Sequence, residues 1–162
     1  MIASFREVGI AVWVDEPSTE AIQMAQQMLE QLALSHPDGI AFLQVIGEDS
    51  QNFEAPARAA LKQLLRACSD SLREAPVVYE GTGFRAAAMR AIVTGLLSTR
   101  SYGFSHRVYS RIDEAALAIG RVFEKREPSR YARELCEVLA ALRERHLHAF
   151  PTASHSFIRY KG

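Results

Sequence analysis

The sequence predicts an α/β fold: a mixed, mostly parallel sheet of four to five strands packed with helices, plus an added C-terminal helix. Three observations predict it. Short apolar runs rich in β-branched residues recur around positions 10, 43 and 78. Between them lie longer stretches whose apolar residues return every three or four positions, as on a helix with one buried face. Clusters of Pro, Gly, Asp and Ser mark the joins, where turn chemistry is needed. Strands alternating with helices argue for parallel pairing through right-handed crossovers.

The first strand region is Phe5-Arg6-Glu7-Val8, then Gly9, then Ile10-Ala11-Val12-Trp13-Val14. The glycine allows a bend, so two short strands or one bulged strand are expected. Asp15-Glu16-Pro17-Ser18 stops it and starts a helix, with Pro17 and Ser18 suited to first-turn and N-cap positions. That helix runs to about Leu34, with Ile22, Ala25, Leu29, Leu32 and Ala33 on one face, and His36-Pro37-Asp38-Gly39 ends it. Ile40-Ala41-Phe42-Leu43-Gln44-Val45-Ile46 is nearly continuous in its apolar character, which predicts a strand covered on both faces.

After a polar loop over residues 47–54, Pro56 opens a second helix whose stripe is Leu61, Leu64, Leu65, Cys68 and Leu72, closed by Pro76. Val77-Val78-Tyr79-Glu80 is the next strand, and Gly81-Thr82-Gly83 turns it into a helix over residues 84–99. Apolar cover on more than one side of that helix implies two packing partners, either the C-terminal helix or a second protein. Phe104-Ser105-His106-Arg107-Val108-Tyr109 completes the strands. Ile112-Asp113-Glu114 then supplies a staple, a cap and an acidic first turn for a helix through Ala116, Ile119, Gly120 and Phe123. Pro128-Ser129 begins the last helix, striped by Tyr131, Leu135, Val138, Leu139 and Leu142. In the tail, Phe157-Ile158-Arg159-Tyr160 reads as a short edge strand or a frayed end.

Composition narrows the functional classes. With 48% hydrophobic and 23% charged residues, the 162-residue chain can bury a core, and one domain over residues 1–162 is expected. A net charge of zero provides no global field toward nucleic acid or anionic membrane. No window reaches the roughly 20 apolar residues of a membrane span, and the N-terminus lacks the pattern of a signal peptide. Cys68 and Cys136 form no Cys-x-x-Cys pair, which fits a reducing cytoplasm and small buried side chains.

This order of elements resembles the STAS-like family, the domain of bacterial anti-sigma-factor antagonists and of the cytoplasmic part of sulfate transporters. The resemblance rests on the Phe5–Val14 segment with its glycine, the buried Ile40–Ile46 strand, Val77–Tyr79 followed by a Gly-x-Gly-Phe turn, and Val108-Tyr109-Ser110-Arg111-Ile112-Asp113-Glu114-Ala115. It covers a core of residues 4–123 and leaves 128–148 as a helical extension. It implies a module that binds another regulatory protein of the kinase-like kind and is switched by phosphorylation at the start of the second long helix. The matching stretch is Glu48-Asp49-Ser50-Gln51-Asn52-Phe53, where Asp49-Ser50 matches the acidic-Ser signal but Gln51 replaces the usual Ser or Gly.

Ser50 is therefore the phospho-switch candidate, since a phosphate adds about −1.5 to −2 charges near a helix N-terminus; the plain alternative is a solvated loop serine. Gly81 and Gly83, with Arg85 beside them, suit anion binding at a strand-to-helix turn, or simply a turn that needs glycine. His146, His148 and His155 lack the spacing of a zinc site, and His106 stands alone. No Gly-x-Ser-x-Gly or Cys–His arrangement marks a nucleophile. No catalytic residue, metal or cofactor is assigned, and an enzyme is not expected. The sequence points to a cytoplasmic regulatory protein-binding module, with self-association into a homodimer as a further expectation. Its contact surface is expected to include Asp49, Arg58, Gly81, Gly83, Phe84 and Arg85. The alternative is a sensor of a small anion or nucleotide at the strand-to-helix turns.

Overall fold

In the computed structural model, which describes residues 1–47, 53–83, 86–87, 90–91 and 103–149, the sequence forms a mixed six-stranded sheet covered by helices on both faces. The strands are β1 (Ile2–Phe5), β2 (Val8–Trp13), β3 (Ile40–Ile46), β4 (Leu72–Glu74), β5 (Val77–Tyr79) and β6 (Val108–Tyr109). The helices are α1 (Thr19–Ser35), α2 (Ala55–Ala67), α3 (Ile112–Phe123) and α4 (Pro128–Ala149). Gly83, Ala86, Ala87, Arg90 and Ala91 are also helical. No helix among the described residues is long and apolar enough to cross a membrane.

The sheet order is β1-β2-β3-β5-β6, with β4 also paired to β3. β1 is antiparallel to β2 and every other pair is parallel. The three apolar runs lie side by side as expected: Ile10 is opposite Leu43, and Val45 is opposite Val78. The sixth strand arises because β4 and β5 flank a break at Ala75-Pro76. Proline has no N–H to give the ladder; the register against β3 shifts earlier, within β4 between Leu72 and Glu74, and is the same for Glu74 and Val77.

From β2 onward, the strands step in one direction across the sheet. Right-handed crossovers that always step the same way must leave their helices on one face. Accordingly, α1 (Ile22, Ala25, Leu29), α2 (Ala57, Leu64, Leu65) and Ala86 share one apolar cluster with Ala11, Trp13, Phe42 and Ile46. The opposite face carries Val8, Ile10, Val12, Leu43 and Val45, and is covered by α3 and α4, which follow the last strand. All seven residues of β3 are buried, the condition its continuous apolar run anticipated. Ala86 thus has the sheet between it and α4, so this part of its segment does not use α4 as a partner.

Several local expectations need correction. Gly9 makes no bend; it lies within β2, where a Cβ would come 2.5 Å from Leu29 Cδ2 and 2.8 Å from Met28 Cε. Its missing side chain lets α1 approach the sheet. The reversal comes instead at Arg6-Glu7, a two-residue hairpin loop with Arg6 at φ +50°. Leu72 does not continue the α2 stripe: Cys68 caps that helix, residues 68–71 turn, and Leu72 is buried in β4. Ser18 is the N-cap of α1, accepting from the Ala21 N–H at 3.1 Å, whereas Pro17 lies one residue outside it. Asp113 is not the cap of α3. Its carboxylate is engaged by Arg111 at 2.9 and 2.6 Å, and Arg111 holds the cap position.

Arg6 provides a test of stored backbone strain. A left-handed non-glycine residue costs on the order of 1 kcal/mol, and Arg6 offsets this through its guanidinium. That group pairs with Glu134 at 2.5 Å and lies 5.1 and 5.2 Å from the ring centroids of Phe5 and Tyr131. Both Arg6→Ala and Arg6→Gly lose the guanidinium, but only glycine relaxes the backbone. Urea denaturation is expected to find Arg6→Gly more stable than Arg6→Ala by about 1 kcal/mol.

Candidate functional site

Because β2, β3, β5 and β6 are parallel, the loops leaving β2, β3 and β5 emerge at one end of the sheet, the usual address of function in open α/β sheets. Those loops are Val14-Asp15-Glu16, the segment from Gly47 into α2, and Glu80-Gly81-Thr82-Gly83. Three of the sequence candidates fall on this rim, by topology rather than by direct contact. Arg58 is exposed near the start of α2, and Gly81 and Gly83 form the turn after β5. Asp49, Ser50, Phe84 and Arg85 lie outside the described residues, as do His155 and the Phe157–Tyr160 stretch.

The rim is cross-braced by side chains whose role the sequence did not signal. Glu16 Oε1 accepts the Glu54 N–H at 2.6 Å, tying the exit of β2 to the N-cap residue of α2. Arg90 Nη1 donates to the carbonyls of Tyr79 at 3.4 Å and Gly81 at 3.3 Å, spanning the exit of β5. Arg143 on α4 pairs with Glu80 at 2.8 Å, both side chains about one-third exposed. These partners are 38, 11, 9 and 63 positions apart. Such separations follow no local period, so only the charge itself was visible beforehand.

Gly81 has φ +116° and Gly83 φ +80°, values an L side chain rarely adopts. A Cβ on Gly83 would meet nothing within 4 Å, so backbone conformation and not crowding accounts for glycine there. The turn thus has the geometry expected of a glycine-dependent reversal, with the Arg90 guanidinium already on its carbonyl side.

The remaining reactive residues sit elsewhere. Burial, with Glu30 adding to it, pushes the Cys68 thiol up to about 11, and burial also raises that of Cys136. Both shifts disfavour the nucleophilic thiolate. His146 and His148 fall within α4. Among the described residues, no three His, Cys, Asp or Glu side chains are grouped to hold a metal ion. At the opposite, amino end of the sheet, an open hollow of about 1020 Å³ is lined by charged side chains of the α3–α4 junction, including Arg126, Arg130 and Glu137. No family model matches the chain, and no curated protein or solved structure matches it.

Proposed function

We propose that the chain is a non-catalytic regulatory module that binds another protein through the carboxyl-end rim of its sheet, as its resemblance to STAS-like domains implies. The supporting observation is the one-directional strand order. Small ligands of open α/β sheets bind where the strand order reverses and adjacent crossovers part to opposite faces. From β2 to β6 there is no reversal. The rim offers instead loops braced by Glu16, Arg90 and the Arg143–Glu80 pair. Such a surface loses little freedom on docking. Its charges of both signs, Arg58 among them, would select a partner more than they strengthen binding. A kinase-like regulator is the partner this reading favours, with a second copy of the chain as the other occupant.

The test is affinity capture with the intact chain, followed by binding measurements on the captured protein. Arg58→Glu on the rim should weaken binding about tenfold, mainly through slower association. Arg133→Glu, at the exposed start of α4 on the far end of the sheet, should leave it unchanged. Equal affinities for the wild type and Arg58→Glu would remove the rim from the account. The ligand-sensor reading is separated by thermal shift, because a bound nucleotide or phosphosugar raises the melting temperature by mass action.

A further inference from the structure

Among the described residues, Glu74 is the one charged side chain buried to the level of the core, at 5% exposure. It ends β4 on the seam between the body of the sheet and its far edge. Residue pairing places it opposite Ala41 on β3 and Ser105 before β6, so it shares the face that α3 and α4 cover. Its Oε1 accepts from Ser105 Oγ at 3.2 Å. Backbone bonds of the seam flank it on both sides. The Ser105 N–H donates to Arg73 O at 3.1 Å, Ala75 N–H to Ser105 O at 2.8 Å, and Val77 N–H to Arg107 O at 2.9 Å.

We infer that Glu74 is a proton-linked latch on the β6 edge: neutral, it lets the seam stay closed, and charged, it favours opening of the seam toward water. Two features carry this. A carboxylate out of water needs compensating donors, and a single hydroxyl at 3.2 Å is a modest one. The strand it meets has only two residues and lies at the sheet edge, where local opening is cheapest.

Charged and titratable groups face Glu74 from the elements packed around it. The edge segment contributes His106, Arg107 and Tyr109; α3 contributes Arg121, acting on Tyr109; β3 contributes only the apolar Ala41. Burial holds the Glu74 carboxyl above its ordinary range, against the opposing influence of Ser105, Arg107 and His106. Burial also raises the Tyr109 hydroxyl, and Glu74 adds to that rise. With the folded value above the unfolded one, folding takes up a proton at Glu74. Its stabilising contribution is complete below the unfolded value and is lost as pH rises through the folded value.

Amide hydrogen exchange on the whole chain between about pH 8 and about pH 5 tests the latch, with protection corrected for the intrinsic rate. As pH falls, protection at Ala75, Val77 and Ser105 should rise with the slope of one proton, at most about tenfold per pH unit. In Glu74→Gln these amides should be protected throughout and show no such slope. In Ser105→Ala the rise should move to higher pH, because the charged form has lost its hydroxyl donor. No slope in the wild type, the same slope in Glu74→Gln, an unmoved rise in Ser105→Ala, or an equal slope at Ile10 and Leu43 would each overturn the inference.

Discussion

Removing residues 128–162 is expected to leave a chain that no longer unfolds cooperatively. The reason is the position of α4, whose 22 residues cross the second face of the sheet. Near its start, Tyr131 Oη donates to Glu7 Oε1 at 2.7 Å, beside the turn that feeds β2. Twelve residues on, about 18 Å along the axis, Arg143 meets Glu80 at the exit of β5. Between these ends, Tyr131, Leu135 and Leu139 are 2%, 0% and 1% exposed. Burying such side chains contributes roughly 1.5–3 kcal/mol each. Together that approaches the 5–15 kcal/mol by which whole domains are typically stable. Loss of α4 would also uncover part of the face formed by Val8, Ile10, Val12 and Leu43. Near-ultraviolet circular dichroism should lose its fine structure, and a hydrophobic dye should bind strongly. A shortened chain that melts at the full-length temperature would show instead that α4 is dispensable to the core.

Gly120→Ala should lower stability by about 2 kcal/mol, although the same change in an exposed helix interior would raise it by up to about 1 kcal/mol. Gly120 lies on α3 where the chain returns as α4. A Cβ there would come 2.6 Å from Pro128 O and 3.2 Å from both Pro128 C and Cα. These are backbone atoms at the first turn of α4, joined to α3 by residues 124–127, so no rotamer change relieves the contact. Either the helix pair separates or the junction distorts, and the α3–α4 packing that covers the second face is disturbed. For a domain of this size the melting temperature should fall by about 4–8 °C. Gly9→Ala makes an informative comparison, because its close neighbours are the ends of the Leu29 and Met28 side chains, which can move. It should cost less than Gly120→Ala, and the reverse order would contradict this account of the α3–α4 contact.

Much of the architecture was legible because it rests on short-range pattern. The continuous run of β3 announced burial on both faces, and the three-to-four spacing of Ile22, Ala25 and Leu29 announced the buried stripe of α1. Failures came where one local signal supported two structures. Leu72 continued a helical spacing by coincidence, and the turn after Cys68 moved it into a strand. Gly9 read as a bend and Gly120 simply as a helical position, whereas their roles depend on what packs against them. For the candidate site, Arg58, Gly81 and Gly83 could be named from the sequence. Glu16, Arg90 and the Arg143–Glu80 pair could not, because ion pairing leaves no periodic trace across such separations.

What the sequence alone determined is most of the described elements, β4 excepted, and the parallel pairing of the central strands, since periodicity and turn chemistry act within a dozen residues. Tertiary structure decided which face each helix covers, that α4 is part of the core, and that a glutamate is buried at the seam with the far edge. Those outcomes depend on contacts between residues as distant as Glu7 and Tyr131 or Glu80 and Arg143. Such contacts are selected by the burial and pairing of the whole assembly, on which local spacing carries no information.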